Sequence, residues 1–470
     1  MKNITMIIGA PGCGKTTKLM EVLETLLTEY KPIEIAFASF TRKGSYEGRD
    51  RAIKKFDYKQ KDFPYFRTLH SLAFQAMEMS RYEMIGNKNY KDFSKAMGMN
   101  FVGYYTEEFA NNDDQYLFNV SLQKNNPEYA KAHSEGLDLI KLEYVRKGYE
   151  EYKNQVGITD YDDSLVNFIK EGEYLPVKVV IIDEAQDLTT LQWEFCRVAF
   201  KKCEKVFIAG DDDQAIYEWS GADVKHFLNL AKDNKTIVLD KSYRLRSNVL
   251  DYAKGISNDI KERVEKVFSA VGDGGNIHYH NKLEDLTLNS EESYYFLSRT
   301  RYYLKDYVSF LKKKSVLFEY KGKLSANEVV IKAIRRYEYL RQHNPIGIQG
   351  ESVLKQMLRK DLPTTKMVPW YYAFDLPLNE VNYYRDLFKN KIDFKKCNIT
   401  VSTIHGVKGG EADNVVLRLD LTKRINEQLD LNNKDAELRC LYVAVTRAKK
   451  NLHLIFSTGK FGYENIRRMK

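Results

Sequence analysis

Residues 9–17 read Gly-Ala-Pro-Gly-Cys-Gly-Lys-Thr-Thr, and no other stretch limits the fold as tightly. The run fits G-x-x-x-x-G-K-[ST], a pattern that requires a strand before it and a helix after it. Ile4 to Ile8 supply an apolar strand, and Leu19, Val22, Leu23, Leu26 and Leu27 recur at helical spacing. Glycines in such a loop let backbone N–H groups turn inward around phosphate oxygens, and the helix N-terminus adds partial positive charge. The candidate nucleotide-binding residues are therefore Gly9, Ala10, Pro11, Gly12, Cys13, Gly14, Lys15, Thr16 and Thr17. Lys15 has the reach for the β- and γ-phosphates, and the Thr16 hydroxyl suits Mg²⁺. A chance glycine-rich turn is the bland alternative, and the flanking strand and helix argue against it.

A phosphate loop calls for an acid at the end of a neighbouring strand. Val177 to Ile182 form a continuous apolar run, as expected for a strand buried in a parallel sheet. That run ends in Asp183-Glu184-Ala185-Gln186. Asp183 can hold a Mg²⁺ that bridges phosphates, and Glu184 can orient and deprotonate an attacking water. Further apolar runs at 33–39, 205–209 and 236–240 alternate with helical patterns. This is the signature of a parallel α/β sheet. The run at 205–209 leads into Gly210-Asp211-Asp212-Asp213-Gln214, and Gln214 could report the γ-phosphate. Tyr217 and Trp219 follow closely. A tryptophan alone is more often core, but an aromatic at a strand end facing a groove offers a stacking platform for a base. His70 lies at a strand-to-helix junction within 66–74, a place where a lone histidine is more often structural.

A second α/β unit follows, with strand character near 276–280, 294–298, 398–402, 414–417 and 452–456. Ser325-Ala-Asn-Glu328 predicts a capping box opening a helix to about 341. Residues 75–157 read as a helical insertion. Residues 343–395, with Pro345, Pro363, Pro369 and Pro377, read as a second, smaller one.

Composition narrows the class. Hydrophobic residues make up 43% of the 470, enough for two to four packed domains of a soluble globular protein, and apolar runs are only strand-length. The five cysteines form no C-x-x-C pair, so a zinc site or disulfide framework is not expected, and a reducing cytoplasm is. The net charge of +9 suits a polyanionic partner, although many basic proteins have none.

Taken in order, several segments resemble one family: GAPGCGKTT at 9–17, SFTRKGSYEGRDRA at 39–52, RTLHSLAF at 67–74, VVIIDEAQD at 179–187, GDDDQAIYEWSGA at 210–222, LDKSYRLRSNVL at 239–250, VSTIHGVKGGEAD at 401–413 and LYVAVTRAKKNLHLI at 441–455. The resemblance is to the UvrD/Rep/PcrA group of superfamily 1 DNA helicases, and it spans nearly the whole chain. It implies an α/β fold of two RecA-like parallel-sheet P-loop domains, each with an inserted subdomain. Residues 1–74 and 158–240 would form the first, and 241–342 and 396–470 the second. The insertions would be 75–157 and 343–395. It further implies ATP and Mg²⁺ as cofactors, bound in the cleft between the domains. Lys15, Glu184, Gln214, Arg244 and Arg447 would be catalytic, with both arginines presented from the second domain. Tyr243 would stack on adenine, Glu411 would meet the ribose, and Thr16 and Asp183 would hold the metal. Phe40, Thr41, His70, Tyr217, Trp219, Thr403 and His405 would contact DNA.

The implied activity is ATP-driven movement along single-stranded DNA with 3′→5′ polarity, displacing duplex at junctions. A monomer in the cytoplasm of a bacterium or phage-infected host, serving repair or replication, fits the resemblance, and the compact length fits a phage or mobile-element member. Three departures qualify it. Only fourteen residues precede Lys15, leaving no room for an upstream adenine-reading Gln motif. Gly409-Gly410-Glu411-Ala412 replaces the usual Gly-Leu-Glu-Phe. The second insertion is short. Four alternatives stay open: a translocase that remodels protein–DNA complexes with little unwinding, a P-loop nucleotide-dependent transferase, a helicase–nuclease subunit and a non-catalytic DNA-binding module.

Overall fold

The computed structural model describes residues 2–39, 42–103, 111–172, 174–342, 354–360, 368–430 and 434–463. The chain divides into two compact units, Met1–Asp273 with Asn432–Val443, and Gly274–Leu431 with Ala444–Lys470.

The first unit is built on six parallel strands: β1 (Ile4–Gly9), β2 (Ile35–Ser39), β3 (Phe66–Thr68), β4 (Val179–Asp183), β5 (Lys205–Gly210) and β6 (Lys235–Leu239). Their order is β3-β2-β4-β5-β1-β6. Successive side chains of a strand point to opposite faces, and the core divides accordingly. Met6, Ile8, Ala36, Ala38, Val180 and Ile182 pack on one face. Ile7, Ile35, Phe37, Val179 and Ile181 pack on the other, against Leu19 and Leu23 of helix α1 (Lys15–Leu26). Both faces being covered explains the unbroken apolar runs that marked these strands in the sequence. The registers Ile8↔Gly210 and Ser39↔Asp183 bring the motif-bearing strand ends to one edge of the sheet. In open parallel sheets, ligands bind beyond that carboxyl edge.

Between β3 and β4 the chain runs through helices that enclose a core of their own, including Phe93, Phe101, Val120, Leu142, Val145 and Tyr149. The sequence reading assigns residues 75–157 of this stretch to a helical insertion. The first unit then continues past residue 240, where the sequence reading began the second domain. Strands β7 (Lys241–Arg246) and β8 (Ser269–Gly272) pair in parallel with each other and belong to no larger sheet. Buried ion pairs tie the segment between them to β5's following turn. Lys266 Nζ donates to Asp211 at 2.9 Å and to Asp212 at 2.5 Å, and Arg263 donates to Asp213 at 2.6 and 2.9 Å.

The second unit has seven strands: β9 (Asn276–His280), β10 (Tyr294–Ser298), β11 (Glu319–Tyr320), β12 (Lys323–Leu324), β13 (Ile399–Thr403), β14 (Ala412–Arg418) and β15 (Ala448–Ile455). The order is β12-β11-β13-β10-β14-β15-β9, with only the β11–β12 pair antiparallel. Phe296, Val401 and Val416 centre its core. The second insertion starts earlier than its proline-rich stretch. Val330, Ile334 and Tyr337 of helix Glu328–Arg341 share one core with Trp370, Tyr383 and Leu387. The expected Ser325 capping box is corrected. Asn327 caps the helix, its side chain accepting from the Val329 N–H at 2.8 Å. The Ser325 hydroxyl instead pairs with Tyr383 and accepts from the Phe318 N–H. Among the described residues, no helix is long and apolar enough to cross a membrane, and the five cysteines are free thiols.

Candidate nucleotide and nucleic-acid site

The phosphate loop sits between β1 and α1. Gly12 and Gly14 adopt φ of +73° and +80°, the left-handed region that side chains disfavour. A Cβ on Gly12 would collide with the Arg244 side chain. The loop is anchored from β7 itself: the Ser242 hydroxyl donates to the Pro11 carbonyl at 2.7 Å, and the Tyr243 N–H to the Gly12 carbonyl at 2.9 Å. Arg244 and Tyr243 therefore belong to the same compact unit as the loop. The sequence reading assigned Arg244 to the second domain, and this placement corrects it. Tyr243 is 69% exposed, which leaves its ring open to stacking.

Lys15 is buried, its ammonium donating to the Gly9 carbonyl at 2.8 Å. Burial works to lower its pKa, but Cys13 and the carboxylates of Asp211, Glu184 and Asp183 outweigh it and hold the group above its ordinary value. The lysine thus stays cationic where phosphate charge would arrive. Asp183 is 5% exposed at the end of β4. Glu184 follows with φ +53° and ψ +39°, a left-handed conformation that costs a non-glycine residue of order 1 kcal/mol or more. That turn leaves the Glu184 carboxylate to accept from Gln186 Nε2 at 2.6 Å. Gln186 Oε1 in turn accepts from the Asp211 N–H at 3.1 Å. Asp211 then holds Gln214, whose Nε2 donates to Asp211 Oδ2 at 2.6 Å. Asp211 titrates below the usual carboxylate range: burial raises it, and Lys266 with Lys15 outweigh that. The candidate base and the candidate γ-phosphate sensor are thus joined through Gln186 and Asp211.

The sequence reading missed Lys266, Arg263 and Gln186. Lys266 and Arg263 lie in a charged run that reads as a solvated face. Three consecutive aspartates at 211–213 in a buried turn were the signal that counter-charges must exist.

The residues also fit Mg²⁺. Thr16 and Asp183 offer a hydroxyl and one carboxylate. Mg²⁺ is usually held by one or two carboxylates with waters and phosphate oxygens, not by an all-protein cage. No group of three or more His, Cys, Asp or Glu able to form such a cage occurs among the described residues.

The candidate DNA contacts divide between the units. Phe40 and Thr41 lie outside the described residues. In the first unit, His70 Nε2 lies 3.4 Å from Asp162 Oδ1. Trp219 stacks on Phe118 of the helical insertion, with centroids 6.0 Å apart, and lies 6.5 Å from the Tyr217 ring. In the second unit, Thr403 ends β13, and its hydroxyl accepts from the Gly406 N–H at 3.4 Å. His405 opens the next turn. Arg447 is buried and donates to the Gly410 carbonyl at 3.1 Å, one residue from Glu411. Glu411 itself is exposed and lies 3.9 Å from the Lys449 ammonium.

Comparison with known proteins fits this inventory. Residues 1–235 match the profile of the UvrD/REP helicase N-terminal domain, and residues 352–459 that of the UvrD-like helicase C-terminal domain. The ATP-dependent DNA helicase Rep of Buchnera aphidicola subsp. Schizaphis graminum is 24% identical over 310 residues, covering 61% of this chain and 46% of that protein. The ATP-dependent DNA helicase PcrA of Staphylococcus epidermidis is 24% identical over 316 residues, covering 62% and 42%. The chain thus matches about half the length of these relatives. A solved arterivirus nonstructural protein 10 (helicase) overlaps 96% of this chain and 59% of its own, at 12% identity and a TM-score of only 0.36, too slight a likeness to bear on the site. With half its length matched by the N-terminal profile and the C-terminal profile falling mostly in the second unit, the chain belongs to the UvrD/Rep helicase family.

Proposed function

We propose that this chain is an ATP-dependent DNA motor. It would translocate 3′→5′ along single-stranded DNA in the cytoplasm and displace duplex at single-strand/double-strand junctions. The observation that carries the reading is the Glu184–Gln186–Asp211–Gln214 chain of hydrogen bonds beside Lys15. It links Glu184, read as the base, to Gln214, read as the phosphate sensor, and the segment carrying Gln214 continues into Tyr217 and Trp219. One short stretch of chain thus joins nucleotide chemistry to a stacking surface suited to unpaired bases.

In this reading Lys15 and the first-turn N–H groups of α1 hold the triphosphate. Thr16 and Asp183 would hold Mg²⁺, which supplies charge neutralisation across the β- and γ-phosphates when bound. Glu184 orients the water and takes its proton, while Gln186 fixes the carboxylate. Arg244 and Arg447 stabilise the spreading negative charge of the transferring phosphoryl group. Tyr243 stacks on the base of the nucleotide and Glu411 meets its ribose. Phe40, Thr41, His70, Tyr217, Trp219, Thr403 and His405 line the DNA strand.

A second reading is a translocase that strips or remodels protein–DNA complexes with little unwinding. The small core of the second insertion favours it. Strand displacement on 3′-tailed, 5′-tailed and blunt duplexes separates the two. The motor reading expects ATP-dependent displacement from 3′ tails only. Translocation without displacement would select the second reading, and displacement from 5′ tails would overturn the polarity. Glu184→Gln should lower turnover by about 10²-fold or more while nucleotide binding persists. Unchanged turnover in that variant would remove Glu184 from the chemistry.

A further inference from the structure

The helical insertion reaches the segment after Glu184 through a partly buried polar chain, most of whose members the functional reading leaves unused. Asp162 Oδ1 faces His70 Nε2 at 3.4 Å. Its other oxygen, Oδ2, accepts from the Ser121 hydroxyl and from Asn125 Nδ2, both at 2.8 Å. The Asn125 carbonyl oxygen then accepts from the Thr189 hydroxyl at 3.0 Å. Thr189 caps helix Thr190–Ala199 and lies five residues beyond Glu184. Asn125 and Thr189 are 8% and 5% exposed, so these bonds are shielded from water.

The same insertion helix, Asp114–Asn125, also touches the stacking segment. Phe118 stacks on Trp219, and a Cβ added to Gly221 would meet the Asn125 and Leu122 side chains at 3.2 and 3.3 Å. Asn126 Nδ2 donates to the Gly221 carbonyl at 3.3 Å. Thr189 and Ala222 form an isolated antiparallel bridge. One helix therefore touches His70's partner, the Trp219 loop and the chain that follows the catalytic carboxylate.

We propose that Asp162 and Asn125 are coupling residues. They transmit occupancy of the DNA strand at His70 and Trp219 to Thr189, and so to the placement of Glu184. This rests on the motor reading, since it requires His70 to meet DNA. A contiguous network of this kind carries coupling only if both ends bias it, which a measurement of coupling can decide. Asp162 and Asn125 touch neither nucleotide nor DNA in this account, and they act through their neighbours.

The test compares the full chain with Asp162→Asn and Asn125→Ala, measuring ATP turnover with and without poly(dT), affinity for a labelled dT oligonucleotide, and thermal unfolding. Stimulation, the ratio of saturated to DNA-free kcat, should fall about tenfold or more in each variant. DNA-free kcat should stay within about twofold, and the double variant should lose no more than either single one. Thr189→Ser, which keeps the hydroxyl, should retain stimulation. Full stimulation in both variants would overturn the proposal. So would a proportionate loss of both rates with a lowered unfolding temperature, the mark of a purely structural role. Should one variant fail to fold, the other decides. A parent chain indifferent to poly(dT) would overturn the motor reading itself and the proposal with it.

Discussion

Lys15 and Lys266 are both buried lysines held cationic by carboxylates, and they differ in what the surroundings leave for them to do. Lys15 donates to the Gly9 backbone carbonyl and lies in the loop that would receive phosphate. Lys266 is enclosed by Asp211, Asp212 and Asp213 within 2.9 Å. Removing one partner of a buried ion cluster strands the other charges and typically costs about 3–5 kcal/mol. Lys266→Met is therefore expected to lower the urea midpoint markedly, and a variant as stable as the parent would show the cluster to be dispensable. The residue types at the phosphate loop and at Asp183 and Glu184 were legible because each motif fixes a backbone role. The left-handed turn at Glu184 was not, because it is set by the packing around the β4 terminus and leaves no compositional trace. Lys266 was hidden for a related reason, since a lysine in a polar run is usually solvated and only its three-dimensional partners reveal otherwise.

Among the elements, β9 and β15 carry a histidine cluster whose register decides its titration. Parallel pairing sets His278 opposite His453 and Ile455 opposite His280. The His278 and His453 rings stack at 4.8 Å, and His280 Nε2 lies 3.1 Å from His453 Nδ1. Burial, then repulsion from His278 and His280, pushes His453 down to about 4. An unfolded histidine titrates near 6.5. Between those values the unfolded chain binds the proton more readily, so stability is full above about pH 6.5 and declines as pH falls towards about 4. Unfolding followed in the second unit should show that decline, and His453→Gln should flatten it; an equal slope in both would place the dependence elsewhere. The strands themselves were largely foreseen, since burial on both sheet faces demands continuous apolar runs. The short β7–β8 and β11–β12 pairs were not, having two to six residues and little apolar content. The Asn327 cap shows the limit of local pattern: Ser325 matches a capping box in spacing, but Tyr383 and the Phe318 N–H compete for its hydroxyl.

On the scale of the whole molecule, the candidate site residues are distributed over the two units, each built on its own sheet. The first unit holds the phosphate loop, the candidate carboxylates Asp183 and Glu184, Arg244 and the Tyr217–Trp219 aromatic pair. The second holds Glu411, Arg447, Thr403 and His405. The alternation of apolar runs with helical patterns made both sheets readable from the sequence. The boundary at residue 240 was less readable, because the ion pairs that carry the first unit on to Asp273 join residues some fifty positions apart. Contacts to phosphate should make DNA affinity fall steeply as salt rises, with little dependence on base sequence. The most direct test of the account is steady-state ATP hydrolysis by the full chain as poly(dT) is added. The account predicts a saturable rise of about tenfold or more that vanishes in Lys15→Ala. Hydrolysis that needs Lys15 yet stays level at every poly(dT) concentration would contradict it.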